Sequence, residues 1–259
     1  MKQRNEPAEI HATQLIAGVH TVRTLLNRSA FSVVELWVEP QRRDQRINEI
    51  VALAEKSGIR VTQAAREQLD HLLPGINHQG VAARTALASV QGESALENLL
   101  TALEEPPLLL VLDGVQDPHN LGACLRSADG AGVHAVIAPK DRSVGLTPVV
   151  CKVASGAAES VPFIQVTNLA RTLARLKRDY GLWLVGTAGE SSNTLYEASL
   201  TGPLALVMGG EGKGLRRLTR EACDYLVRLP MLGAVESLNV SVATGICLYE
   251  ALRQRGMPK

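Results

Sequence analysis

The chain has 259 residues, 46% of them hydrophobic and 20% charged, which excludes intrinsic disorder and leaves room for one large domain or two ordinary ones. Its formal net charge of +1 excludes a strongly basic protein, so any nucleic-acid binding must rely on a local patch. The N-terminus has no signal-peptide pattern and no apolar run approaches a membrane span, so we predict a cytoplasmic protein with no membrane partner.

The N-terminal third of the chain is predicted to form a small α/β domain over residues 14–88, after a polar and flexible segment over residues 1–13. The predicted elements are, in chain order, a helix over 14–29, a strand over 33–40, a helix over 43–58, a strand over 59–64, a helix over 65–75 and a strand over 80–88. The domain carries basic residues that form either a solvated face or a phosphate-contacting face, namely Arg42, Arg43, Arg46, Lys56, Arg60 and Arg66.

Residues 89–105 differ in composition from what precedes them, because they are acidic, lack Lys and Arg, and end near two prolines. We predict a linker with a short helix there. From residue 106 to residue 259 continuous apolar strands alternate with helices, which predicts a mostly parallel sheet covered on both faces. The strands are predicted over 108–115, 134–140, 160–166, 182–187, 204–210 and 225–230, and the helices over 120–132, 147–158, 168–181, 214–222 and 239–255.

Ligands of an open α/β sheet bind beyond the carboxyl ends of its strands, where three strands of this domain run into small, polar or flexible residues. One of these loops, "GGEGKGL" over 209–215, is not a nucleotide P-loop because Lys213 is followed by glycine. It is a poor dinucleotide fingerprint as well, since Glu211 would repel a pyrophosphate. A ligand with a cationic or neutral polar end fits better, and S-adenosylmethionine is such a ligand.

Two further segments combine polar and small residues at predicted helix starts. In "DPHNLGACLR", Asn120 is placed as an N-cap, Gly122 permits a close approach, and Arg126 taken alone is a surface or capping residue. In "SLNVSVATG", Ser237, Asn239 and Ser241 precede a long apolar helix, where they are either caps or part of a site. The residues alone leave both alternatives open.

The four cysteines are far apart in the sequence and form no C-x-x-C pair. We therefore predict reduced thiols, as expected in a cytosolic protein, rather than disulfides or a metal site. The four are Cys124, Cys151, Cys223 and Cys247.

Together, "NLGACLR", "MGGEGKGL" and "PMLGAVESLNVSVA" resemble, in order and in strand context, the three motifs of the SpoU (TrmH-like) RNA 2'-O-ribose methyltransferases. The resemblance implies a C-terminal α/β-knot domain of the SPOUT type, with a trefoil knot that strand patterns alone would disfavour. It also implies S-adenosylmethionine as the cofactor, no metal, and a homodimer with the active site at its interface.

The resemblance is nearest to the members of that family that methylate a guanosine ribose of bacterial 23S rRNA, in the peptidyl-transferase P loop. "IAGVHTVRTLL" and "NHQGVAAR" resemble the small RNA-binding domain of those enzymes. Another guanosine or a tRNA remains an alternative substrate. An RNA-binding protein with an inactive methyltransferase fold and a nucleotide-dependent oxidoreductase are the rival functions, and the intact motif residues argue against the first.

The resemblance also implies roles for individual residues. The cofactor-binding residues are expected to be Gly209, Leu229, Leu238, Thr187 and Met231. The catalytic residues are expected to be Arg126, Glu211 and Asn239, supported by Asn120 and Ser237. Leu229 and Leu238 are core residues in the alternative interpretation. Whether Arg126 acts as base or as electrostatic clamp stays open, although a guanidinium with a pKa above ~12 is poorly suited to losing a proton.

Overall fold

The structure is a computed structural model that describes residues 13–30, 33–40, 44–86, 89–210, 212 and 214–256. Residues 1–12, Arg42, Arg43 and Glu211, for which the sequence makes predictions, lie outside the described residues. The chain divides into two compact units, Met1–Ser89 and Val90–Lys259. Within the described ranges, no helix has the length and apolar character needed to cross a membrane.

The smaller unit contains a four-stranded sheet in the order β1-β4-β2-β3, in which β2 and β3 are parallel and the other pairs antiparallel. Its apolar clusters lie on both faces of the sheet, one against α1 and α2 and one against α3. The elements are β1 (Thr13–Ala17), α1 (Val19–Ser29), β2 (Val33–Val38), α2 (Gln45–Lys56), β3 (Arg60–Gln63), α3 (Arg66–Leu72) and β4 (Val81–Ala86).

The predicted helix over 14–29 was wrong at its start, where the structure has a strand instead. Gly18, at φ +96°, separates β1 from α1. The apolar residues at 15, 16, 19 and 22 fit a helical period, but Leu15 and Ile16 also serve the two faces of a covered sheet. Antiparallel pairing with β4 then decides in favour of the strand.

The larger unit is built on seven parallel strands in the order β11-β9-β10-β6-β7-β8-β5, which confirms the predicted parallel sheet. Its strands are β5 (Val90–Gln91), β6 (Leu108–Asp113), β7 (Ala135–Pro139), β8 (Phe163–Val166), β9 (Trp183–Thr187), β10 (Leu204–Gly209) and β11 (Tyr225–Val227). Its helices are α4 (Glu93–Ala102), α5 (Pro118–Gly130), α6 (Pro148–Ala154), α7 (Ala157–Ser160), α8 (Leu169–Tyr180), α9 (Arg217–Ala222) and α10 (Val240–Arg255).

The central strand β6 is buried along its whole length. Leu109 and Val111 belong to the cluster that includes residues of α4 and α8, whereas the alternate residues Leu110 and Leu112 are equally buried on the opposite face. This two-sided burial explains the continuous apolar run in the sequence, because helices cover both faces of a parallel sheet.

Residues 90–102, predicted as part of a linker, contribute a strand and a helix to the larger unit. Val90 and Gln91 pair with β8, and Leu96 and Leu100 of α4 enter the main core cluster. The acidic residues Glu93 and Glu97 of α4 are half-buried and pair with arginines of α8. The short helix is confirmed, and its packing moves the boundary between the units to residue 89.

The four cysteines are free, as predicted. Burial raises the pKa of the Cys124 thiol to about 11 and the pKa values of Cys223 and Cys247 to about 12. Burial, followed by the charge of Glu159, also raises the pKa of Cys151. All four thiols are therefore protonated at neutral pH.

Candidate active site

The loops that follow β9, β10 and β11 enclose a cavity of about 260 Å³ at the carboxyl end of the parallel sheet. This volume is close to the lower end, about 300 Å³, of typical small-molecule sites. The wall consists of residues 187–189, 208–210, 212, 214, 227–229, 231, 236–238, 240 and 243. The cavity thus lies where an open α/β sheet binds ligands.

Six of the residues singled out in the sequence line this cavity. They are Thr187, Gly209, Leu229, Met231, Ser237 and Leu238. Leu238 is 37% exposed, so the alternative interpretation of this residue as part of the core does not hold. Residues far apart in sequence therefore meet in one place.

The loop over residues 209–216, of which 209, 210, 212 and 214–216 are described, is called the anchored loop below, and it leaves no room for a side chain at Gly209 or Gly210. A Cβ at Gly209 would lie 2.5 Å from the backbone nitrogen of Leu215, and one at Gly210 would lie 2.5 Å from the carbonyl oxygen of Gly114. The backbone here forms a smooth wall on which a ligand can lie. The motif carries glycines at these positions because nothing larger fits.

The cavity suits S-adenosylmethionine on three counts. Its wall has the glycine positions just described, apolar side chains such as Leu229 and Leu238, and the carboxylate-bearing residue Glu236. An adenine requires an apolar slot with backbone groups, and a sulfonium and an ammonium group favour a nearby negative charge. The residues present fit this cofactor.

Asn120 is not the N-cap of α5, contrary to the prediction. Asp117 caps the helix by accepting a hydrogen bond from the His119 amide at 3.0 Å, and Pro118 occupies the first turn. Asn120 is instead buried, with 7% of its surface exposed, and its Oδ1 accepts a hydrogen bond from Nδ2 of Asn239 at 3.0 Å. This bond joins the first and third motifs, 119 residues apart.

Asn239 is a cap and also contacts a residue of the first motif. It is the N-cap of α10, and its Oδ1 accepts hydrogen bonds from the Ser241 amide at 2.8 Å and from the Ser241 hydroxyl at 2.6 Å. Its Nδ2 is the group that reaches Asn120. The two alternatives for this segment are therefore compatible.

Arg126 is exposed on α5, and among the described residues it has no hydrogen-bond or ion-pair partner. Gly122, one turn earlier, allows α6 to pack closely, since a Cβ there would lie 2.7 Å from Cβ of Val153. The helix is thereby fixed while the guanidinium stays available. Glu211, the other charged candidate, lies outside the described residues.

The sequence reasoning did not identify Asp113, Arg216 or Glu236. Asp113 ends β6 and its buried carboxylate pairs with Arg216. A charged residue closing a run of five buried apolar residues was the available signal for Asp113. Glu236 had no such signal in the sequence, because it lies in an irregular segment.

Two family models match the chain. The SpoU rRNA Methylase family matches residues 107–249, and a domain described as RNA 2'-O ribose methyltransferase substrate binding matches residues 15–91. The first match lies in the larger unit, and the second lies in the smaller unit apart from residues 90 and 91.

Whole proteins with similar sequences are named 23S rRNA (guanosine-2'-O-)-methyltransferase RlmB. One from Pseudomonas syringae pv. tomato is 58% identical over 93% of this chain and 95% of its own length. One from Ralstonia nicotianae is 56% identical over 95% of this chain and 97% of its own length. The fold is similar to that of the SpoU methyltransferase AviRb from Streptomyces viridochromogenes, solved with AdoMet, at a TM-score of 0.67 and 23% identity over 93% of this chain and 90% of that one.

Proposed function

Because this chain belongs to the SpoU rRNA methylase family, we propose that it transfers a methyl group from S-adenosylmethionine to the ribose 2'-hydroxyl of a guanosine in 23S rRNA. The observation that carries the proposal is that residues of the second and third motifs line one cavity, while the Asn120–Asn239 hydrogen bond joins the first motif to the third. Family membership alone would also fit an inactive relative, which need not keep this arrangement.

The cofactor is assigned to the cavity. Gly209 and Gly210 would offer it a flat backbone wall, and Leu229, Met231 and Leu238 an apolar surface. Bound there, S-adenosylmethionine supplies an electrophilic methyl group for attack by the ribose oxygen. The work of the protein is to bring that oxygen to within about 3–3.5 Å and to assist loss of its proton.

Arg126 is proposed to clamp a phosphate of the target nucleotide and to stabilise negative charge on the ribose oxygen. Its exposure and its lack of partners among the described residues support a role toward a ligand. A guanidinium retains its proton at any physiological pH, which disfavours a role as base. Asn239, fixed by Asn120, and Ser237 are assigned to orienting the substrate, and Glu211 to orienting the hydroxyl or the cofactor.

A homodimer is proposed, with residues 232–239, called the exposed segment below, at its interface. Every residue of this segment is exposed, including Leu232 at 99% and Val235 at 64%. Val242 and Tyr249 of the adjacent helix α10 are about half exposed. Apolar side chains clustered beside a cavity are typical of a protein–protein contact.

The smaller unit is proposed to dock the RNA, since its match is to a substrate-binding domain. The P loop as the target, the trefoil knot in the larger unit and a cytoplasmic location are proposed from membership of the family. The relatives named as 23S rRNA methyltransferases support the rRNA target, and the parallel sheet with its motif order supports the larger unit's assignment.

The test is methyl transfer to 23S rRNA isolated from a bacterial strain that lacks this modification, with the labelled ribose mapped to a nucleotide. We expect one 2'-O-methylguanosine, in the P loop. A chain that binds S-adenosylmethionine but labels tRNA, or a different nucleotide, would correct the substrate. A chain that binds no S-adenosylmethionine would overturn the proposal.

A truncated chain tests the smaller unit in the same assay. Deleting residues 1–89 removes that unit and keeps β5 and α4, whose Leu96 and Leu100 belong to the core of the larger unit. We expect cofactor affinity to persist and rRNA methylation to fall sharply. Full activity of the truncated chain would show that the smaller unit does not dock the RNA.

A further inference from the structure

Asp113 holds both ends of the anchored loop. Its main-chain carbonyl accepts a hydrogen bond from the Gly210 amide at 3.0 Å, and its carboxylate Oδ2 accepts one from the Arg216 amide at 2.9 Å. One residue at the end of β6 therefore fixes the first and last turns of a loop that carries Glu211.

The side chain of Arg216 completes the contact. Its Nε donates to Asp113 Oδ1 at 2.5 Å and its Nη2 forms an ion pair with the same oxygen. The carboxylate is fully buried, whereas the arginine side chain is 40% exposed. A buried carboxylate is stable only when its charge is paired and its oxygens are hydrogen-bonded, and both conditions are met by this single partner.

The pairing lies behind the cavity wall. Gly209, Gly210, Gly212 and Gly214 line the cavity, and all precede Arg216 on the anchored loop. Among the described residues between β10 and α9, Gly212 and Gly214 have φ of +73° and +61°. A glycine-rich loop is costly to order, so its conformation depends on contacts at its ends.

We propose that Asp113 and Arg216 form a positioning pair that holds the anchored loop in its cofactor-binding conformation. The inference rests on the proposed function, because it assigns cofactor affinity to a pair that does not line the cavity. Losing the pair frees the end of the loop, and the binding energy of the cofactor must then order it again.

The experiment compares Asp113→Asn, Arg216→Ala and Arg216→Lys with the matched control Arg217→Ala. Arg217 is the next residue, and its ion pair with Glu221 is exposed on both sides. Calorimetry gives the Kd of S-adenosylmethionine and steady-state assays give KM and kcat separately. All measurements are made well below the lowest Tm of the set, so that every variant is folded.

We expect Arg216→Ala to raise both Kd and KM for S-adenosylmethionine by about 10- to 100-fold, with a smaller change in kcat, as for loss of hydrogen bonds to a charged group. Arg216→Lys should lie between, because an ammonium keeps the charge but loses the planar fork. Arg217→Ala should match the parent chain. The Asp113→Asn/Arg216→Ala double variant should be little weaker than either single variant, because both changes remove one contact.

A purely structural pair would lower Tm and leave Kd unchanged, so Arg216→Ala with the parental Kd overturns the inference. Additive effects of the two substitutions on Kd would also overturn it. If Asp113→Asn does not fold, the inference is tested by comparing the Kd of Arg216→Lys with that of Arg217→Ala. Failure of the parent chain itself to bind S-adenosylmethionine would instead refute the proposed function.

Discussion

The two sides of the cavity are built in different ways. On one side, the anchored loop is fixed by Asp113 at both ends and leaves no room for side chains at Gly209 and Gly210. On the other side, the exposed segment supplies Glu236, Ser237 and Leu238 to the cavity, yet all of its residues are exposed.

The comparison distinguishes the side of the cavity that one chain forms completely from the side that one chain leaves exposed. The anchored side buries a charge and packs backbone on backbone, so it is preformed. The exposed side leaves large apolar side chains in water, a state that a second surface would relieve. Changes on the anchored side should therefore affect cofactor binding, and changes on the exposed side should affect assembly and RNA.

Adding a single methyl group at Gly209 should disrupt the anchored side of the cavity. In Gly209→Ala the new Cβ lies 2.5 Å from the Leu215 nitrogen, which is a backbone atom that cannot move aside as the end of a flexible side chain would. We expect S-adenosylmethionine binding to fall below detection by calorimetry. Gly189→Ala is the control, because Gly189 also lines the cavity and no atom lies within 4 Å of its Cβ. Equal binding by the two variants would contradict the description of a tight wall.

Substitutions of Arg126 test whether this exposed residue on α5 contributes to the methyl-transfer step rather than to cofactor binding. Arg126→Ala should lower kcat by about 10²- to 10³-fold, the usual cost of one donor to a developing oxyanion, and should change cofactor affinity little. Arg126→Lys should also lose most activity, since it cannot hold a phosphate bidentately. A Lys variant with near-native turnover that rises with pH would instead identify residue 126 as the base.

Leu232→Asp probes the exposed side. Because Leu232 is 99% exposed, a single chain should fold equally well with aspartate there. If the segment meets a second copy, burying the charge should raise the dimer dissociation constant by about 30-fold or more. Light scattering measures the mass. Leu218→Asp, at a half-exposed position on α9, is the control, and a dimer that survives in Leu232→Asp would place the interface elsewhere.

The smallest expected effect concerns the hydrogen bond between Asn239, at the end of the exposed segment, and Asn120. A double-mutant cycle on Asn120→Ala and Asn239→Ala should give a coupling free energy of about 1 kcal/mol, as for one neutral hydrogen bond. Denaturant unfolding measures it. Ser241→Ala is a control for the hydroxyl contact, because it removes a hydroxyl bonded to Asn239 Oδ1 and leaves both the capping amide and Nδ2 unchanged. Zero coupling would mean that the two motifs are not energetically linked.

The sequence predicted the larger sheet well because its strands are continuous apolar runs, as β6 shows. A continuous apolar run can be recognised from the strand's own sequence, without knowing which strands lie beside it in the sheet. The start of the smaller unit was misread because residues 14–17 suit a helix face and a covered strand equally, and only pairing with β4 distinguishes them. The attachment of α4 was missed because its acidic outer face concealed the apolar stripe at Leu96 and Leu100.

In the site as well, some residues could be predicted from the sequence and others could not. Motif residues such as Gly209 and Leu238 were found through resemblance, and the cavity brings them together. Asp113 and Arg216 are 103 residues apart, and nothing local in either stretch shows that they meet. The capping role of Asp117 in place of Asn120 depended on where Pro118 begins the helix, a boundary that propensity fixes only to within a few residues.

The protonated state of the four native thiols makes the chain convenient to label. Thiolates are the nucleophiles that attack maleimide and disulfide reagents, so Cys124, Cys151, Cys223 and Cys247 should react slowly at neutral pH. A dye or spin label could then be attached through Leu232→Cys without first replacing any of them. In the proposed homodimer, the distance between two such labels would test whether residue 232 lies at the interface.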